Sequence, residues 1–247
     1  MHGTWTIDLA DIPYDPIADK PLPGIAPCPL DMWLYPARDY AAQMQERSTI
    51  LSHHRDTVLY YGDNTHDICL ELYDHVCTTL SAHRDFTVTD AHVICPDGRK
   101  VLRNPDTPLE TLNAIVQEDF CIMVKHGDEY VLRAALLCFP AAWSLAEKIE
   151  KPLTAIHKPV TQYDTRLAAR VARLFDGIRA GRPLWRDNRL YYNDPDLFYP
   201  ATEANPRPPA GDDPRYLRSE RQVLYRLPNS NAVVFALRTF VVDLHAL

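Results

Sequence analysis

Residues 216–244 read YLRSERQVLYRLPNSNAVVFALRTFVVDL, and this stretch decides the fold. Two long runs, Tyr216 to Leu227 and Ala232 to Leu244, flank a Pro228-Asn229-Ser230-Asn231 turn. Runs rich in Val, Phe, Tyr and Leu on either side of turn residues predict a β-hairpin. Period two places Arg218, Glu220, Gln222 and Arg226 on one face of the first strand and Leu217, Val223 and Tyr225 on the other. Leu224 falls on the polar face and Arg221 on the apolar one. On the second strand Val233, Phe235 and Leu237 alternate with Val234, Ala236 and Arg238. Arginines and a glutamate in strands otherwise fit for a core are costly unless they pair or bind an anion. Two readings stand side by side. One is a structural ladder, Arg218–Glu220–Arg238. The other is a clamp for carboxylates or phosphates, which the guanidinium fork suits.

Working backwards, Leu184 to Tyr192 reads as another strand, and residues 200–214 as a loop. Helix signals dominate 164–180. Asp164 caps the helix, Leu167, Val171, Leu174, Phe175 and Ile178 form its core stripe, and Arg166, Arg170, Arg173 and Arg179 lie largely off it. Phe120 to Lys125 and Tyr130 to Phe139 form a second hairpin across His126-Gly127-Asp128. Helices are predicted at 39–51 with Asp39 as N-cap, at 65–81, and from a Thr107–Glu110 capping box to near Val116. Phe86 to Ile94 and Lys100 to Arg103 read as strands around Pro96-Asp97-Gly98. A second capping box, Ser144 with Glu147, predicts a helical turn within 143–150. The sum is an α+β fold with helices covering one antiparallel sheet. The proline-dense residues 1–36 form a strap laid on a single domain spanning 37–247.

Composition excludes several functions. The 247 residues carry a net charge of −7, which argues against a nucleic-acid partner. No apolar run approaches the length of a membrane span. The opening MHGTWTIDLADIPYD lacks a charged-then-apolar leader, so a cytoplasmic protein with reduced, mostly buried cysteines is expected. The six cysteines form no CxxC pair and no glycine-rich phosphate loop occurs. An iron–sulfur cluster, a zinc ribbon and a dinucleotide bound by that device are therefore not expected in this chain.

Three constellations carry chemistry. PAAWSLAEKIEKPLTAIHKPVTQY (140–163) holds the acid–base pair Glu147 and Lys148, and His157 before Lys158-Pro159 in an otherwise apolar segment. His157 reads either as an axial ligand for haem iron or as a partly buried, hydrogen-bonded histidine. Gln117-Glu118-Asp119 joins helix to strand. Its acids either cap local backbone or, in a pocket, orient an amine or relay protons. The arginine-bearing hairpin is the third.

Together QEDF (117–120), CFPAAWSLAEKIEKPLTAIHKPV (138–160) and LRSERQVLYRLPNSNAVVFALRTFVV (217–242) resemble the haem-dependent oxidative N-demethylase family. The likeness runs from about residue 25 to 244 in the same order. It implies a PAS-like fold and haem b with His157 as metal ligand. It also implies Arg218, Arg221, Arg226, Arg238 and Lys158 as cofactor-binding residues, and Glu118, Glu220 and Arg238 as catalytic candidates. The implied activity is oxidation of a small amine by O2, with electrons from a separate ferredoxin-type flavin and iron–sulfur reductase. The arginine side of helix 164–180 is a candidate docking face for it. One departure from the family is Asn188-Arg189, where an Asn-Trp is common. The alternative is a haem-binding PAS-type sensor without turnover.

Overall fold

The computed structural model describes residues 5–19, 24–156 and 165–246, with side chains from residue 170 onward in the last stretch. Its strands are β1 (Ala26–Pro27), β2 (Leu59–Tyr61), β3 (Thr87–Val88), β4 (His92–Ile94), β5 (Lys100–Leu102), β6 (Asp119–His126), β7 (Glu129–Leu136), β8 (Leu184–Tyr192), β9 (Tyr216–Arg226) and β10 (Val233–Asp243). Its helices are α1 (Tyr40–Val58), α2 (His66–Ser81), α3 (Pro108–Ile115), α4 (Leu153–Ile156) and α5 (Thr165–Gly177). Seven strands make one antiparallel sheet in the order β1-β8-β9-β10-β6-β7-β2. The remaining three form a small sheet, β3-β4-β5. The fold is α+β, as the hairpins predict.

The β9–β10 hairpin pairs over eleven positions, from Val233 opposite Arg226 to Asp243 opposite Tyr216. Alternation then sends the two sides of the sheet to different cores. Phe120, Ile122, Val223, Tyr225, Val234 and Ala236 pack against α1, α2 and α3 in the larger cluster. Cys121, Met123, Leu224, Val233 and Leu237 face a second cluster that includes Phe175 and Ile178. In α2, the apolar fourth-residue repeat buries Leu72, Val76 and Leu80 as its spacing predicts.

Register shifts between Ile122 and Met123, so Arg133 is an extra residue on β7. Such a bulge bends the strand and disrupts its ladder locally. Beyond it the segment 150–152 lies along β7, with Leu132 N–H donating to Lys151 O at 3.1 Å and Glu150 N–H to Leu132 O at 2.9 Å. These bonds fix the start of α4 over the second face.

The proline-dense segment is held at several points. Ile7 N–H donates to Val241 O at 2.9 Å, and the Trp5 indole to Pro195 O at 2.9 Å. β1 pairs with the β8 edge, while Trp33 and Leu34 enter the larger core.

The predicted caps are corrected. Asp39, Thr107 and Ser144 each precede a helical segment, but none makes a side-chain cap bond. Asp39 instead pairs with Arg238 at 2.5 Å. Glu110 accepts bonds from Arg55 and Tyr61, both at 2.6 Å, rather than turning back on its own helix. A buried or bridging partner outweighs a local cap worth about 1 kcal/mol. Residues 86–94 also split into β3 and β4 rather than one strand.

Candidate functional site

A cleft of about 680 Å³ opens on the second face of the large sheet. Its floor is built by strand alternation. Cys121 and Met123 come from β6, Leu190 from β8, and Phe235 and Leu237 from β10. The cover is residues 141–143, Glu147, Lys148, and Leu153 and Ile156 of α4, together with the loop carrying Thr202, Glu203 and Pro206. Volume and apolar lining are those of a small-molecule site.

The floor has one polar group, formed by Asn188, Glu220 and Gln222. Asn188 and Glu220 are directly opposed across β8 and β9. The Glu220 carboxylate accepts from Arg218 at 3.4 Å on Oε1, and from Asn188 at 3.2 Å and Gln222 at 3.3 Å on Oε2. Asn188 Oδ1 also accepts the Glu220 N–H at 3.2 Å. A carboxylate offers about four lone-pair sites. Three are used, leaving one on Oε1 for a ligand.

The cover carries its own polar latch. Lys148 Nζ donates to Ile156 O at 3.1 Å and pairs with Glu203 at 3.4 Å. The Glu147 carboxylate accepts the Glu203 N–H at 3.2 Å. The Glu147-Lys148 pair in the sequence thus ties α4 and the 201–206 loop across the cleft.

The other candidates do not converge. Arg221 and Arg238 face each other on β9 and β10, on the side of the sheet away from Glu220. Arg221 donates to Trp33 O at 3.4 Å and lies 3.2 Å from Cys28 Sγ. Arg238 donates to Tyr35 O at 3.1 Å, Gln43 at 2.8 Å and Asp39 at 2.5 Å. Glu118 is on that same side and accepts the Tyr35 N–H at 2.7 Å. Burial holds its carboxyl above the usual range, against the opposing pull of Arg238. Period two separates Glu118 and Arg238 from Glu220, so the three catalytic candidates do not share one side of the sheet.

The ladder Arg218–Glu220–Arg238 is likewise only half present: Arg218 meets Glu220, and Arg238 does not. Arg218 and Arg226 share the Glu220 side, but their forks are taken. Arg218 donates to Leu197 O at 3.1 Å and Phe139 O at 2.5 Å. Arg226 donates to Ile178 O and Asn231 O, both at 2.6 Å, and to Phe175 O at 2.5 Å. His157 and Lys158 lie outside the described residues. So does the side chain of Arg166, while Arg170 is exposed on α5.

Asn188 was noted in the sequence only as part of a departure, and it proves to line the cleft. Cys121, Met123 and Glu203 gave no signal, being ordinary strand and loop residues until the register is known. Burial pushes the Cys121 thiol well up, so it presents neutral sulfur. All six cysteines are free and buried. Among the described residues no group of three or more His, Cys, Asp or Glu is placed to hold a metal ion, and no helix is long and apolar enough to cross a membrane.

Haem fits what is present. The cleft has an apolar floor and the volume of a cofactor site, and its cover includes Ile156, the residue immediately before His157. Over residues 24–247 the chain matches the family model described as haem-dependent oxidative N-demethylase, alpha subunit-like, and it belongs to that family.

Proposed function

We propose that this chain is the haem-bearing oxidase of a system that removes a methyl group from a small amine, with haem b seated in the cleft under α4. The observation that carries the reading is the carboxylate of Glu220, set with Asn188 and Gln222 among the apolar side chains of the cleft floor. His157 follows Ile156 of the cleft cover and would hold the iron. The bound haem supplies oxygen activation, so that a C–H bond next to nitrogen is hydroxylated by O2 with two electrons and two protons, and water is the second product. The hydroxymethyl amine then falls apart into formaldehyde and the demethylated amine.

The protein's own work is binding, orientation and exclusion of water. The open lone pair of Glu220 Oε1 takes the N–H of an ammonium substrate and orients it in the cleft. Asn188, Gln222 and Arg218 fix that carboxylate. Leu190, Phe235 and Leu237 hold the methyl groups out of water, and the Lys148–Glu203 contact closes the cover. Electrons come from a separate flavin and iron–sulfur reductase of ferredoxin type, and the arginine face of α5 is its docking surface by charge complementarity.

The test starts with haem content, by pyridine haemochromogen, and with the Soret band of His157→Ala. Amine-dependent oxygen consumption and formaldehyde are then measured with a surrogate ferredoxin–reductase pair. We expect one haem b per chain, a changed spin state in H157A, and turnover lost in E220Q with haem retained. Absence of haem uptake, or formaldehyde release undiminished in E220Q, overturns the proposal.

A further inference from the structure

We infer that Arg186 is the carboxylate-binding residue of the cleft and holds a propionate of the bound haem, an inference that rests on the haem reading above. Leu184 packs on the second core, Asn188 and Leu190 line the cleft, and Arg186 shares their face by alternation. Directly opposite Arg186 on β9 stands Gln222, itself a lining residue. Arg186 therefore projects at the rim of the cleft floor, between a packed leucine and the Asn188–Glu220 pair.

Its bonding state is the second observation. Arg186 Nε is buried without a hydrogen-bond partner. A buried donor of this kind is rare and destabilising unless a ligand or water completes it. The neighbours cannot. Asn188 Oδ1 accepts the Glu220 N–H, the Glu220 carboxylate takes Asn188, Gln222 and Arg218, and no described acceptor meets Arg186 Nε. Arg218 and Arg207 also keep unpartnered buried donors, but Arg218 is held by Glu220 and two backbone carbonyls, and Arg207 pairs with Asp194 and packs on Tyr192 and Tyr199. Arg186, by contrast, stands beside the cleft with an Nε donor that no described residue takes. Its fork matches a carboxylate two hydrogen bonds at a time, and the carboxylates that haem brings are its propionates.

Lys148 is the rival. It lines the cleft as a cation, but its ammonium is engaged by Ile156 O and Glu203, and Glu147 stands beside it. An entering carboxylate would meet two acids there. Beside Arg186 it meets neutral amides, with Glu220 already neutralised by Arg218.

The experiment measures haem loss from holoprotein to excess apomyoglobin, followed at the Soret band, for wild type, R186M, R186K and K148M. Each is loaded either with haem or with haem dimethyl ester, whose propionates are uncharged. We expect R186M to lose haem about tenfold faster than wild type, the loss of one charge-assisted contact. R186K should fall between them. With the dimethyl ester, wild type and R186M should lose the cofactor at the same rate. Thermal melts should show R186M at least as stable as wild type before loading, because the unpaired buried donor is gone. If wild type takes up no haem, the haem reading falls and this inference with it. If wild type is loaded and R186M retains haem at the wild-type rate, Arg186 alone is wrong. If only K148M shows the ester-dependent difference, the carboxylate sits on Lys148 and the inference is overturned.

Discussion

Asp119 accepts a hydrogen bond from Arg47 at 2.7 Å, and the two side chains are 2% and 0% exposed. The same carboxylate accepts the N–H groups of Cys138 and Phe139, both at 2.8 Å. It therefore ties α1 to the end of β7, where the chain turns into the cleft cover. The bond to Asp119 is made by Arg47 Nη1, and Nε and Nη2 have no hydrogen-bond partner. Asp119→Asn would leave that guanidinium buried without its counter-charge, at a cost of about 3–5 kcal/mol. A lower urea midpoint measures it. Arg47→Met with Asp119→Leu should recover much of the loss, since removing both charges also removes their desolvation penalty. A single-mutant change below about 1 kcal/mol would mean that water reaches the pair.

The placement of the hairpin residues makes a paired prediction. Arg238→Met strips the buried Asp39 of its ion pair on the helix side of the sheet. It should destabilise by about 3 kcal/mol and leave haem affinity of the folded protein unchanged. Glu220→Gln lies on the cleft side and should change ligand binding far more than stability. Melts and haem titrations of both variants check the crossing. A haem affinity that falls with R238M and not with substitutions at the cleft would return Arg238 to the site.

The hairpins, α2 and the α+β class were legible because alternation and fourth-residue spacing act locally and report which face is buried. Caps were not. Asp39 has the right chemistry for one, but a guanidinium 199 residues away in sequence offers a stronger bond. The site was legible only as residue types. Glu118, Glu220 and Arg238 all look alike in a sequence, and which of them share a face depends on registers across β8, β9, β10 and β6. Lys148 and Glu203 illustrate the same limit. Their contact spans 55 residues and joins two irregular segments for which no periodicity exists.

The Lys148–Glu203 contact should act on access more than on stability. Glu203 is 61% exposed, so the pair contributes at most about 1 kcal/mol. Glu203→Ala should speed amide exchange across 201–206 and raise both the entry and exit rates of a cleft ligand, with Kd moving little. Stopped-flow binding separates the rates. If the exit rate alone rises, so that Kd rises with it while the entry rate holds, Glu203 contacts the ligand rather than closing over it.

Glu118 gives a pH test of the opposite face. Its carboxyl is held above its ordinary value of 4.5, first by burial, with Arg238 and the Tyr35 N–H opposing. A raised carboxyl means that the folded protein binds the proton more tightly than the unfolded chain. That contribution is fully present below about pH 4.5 and is lost as pH rises through the folded value. Glu118→Gln keeps an acceptor for Tyr35 N–H and removes the titration. E118Q should therefore be more stable than wild type at neutral pH, and the difference should shrink toward zero as pH falls below 4.5. Urea unfolding of both proteins between pH 4 and 8 measures the gap. A gap of the opposite sign at neutral pH would show that the nearby arginines, Arg238 and Arg221, outweigh burial and hold Glu118 as a structural anion.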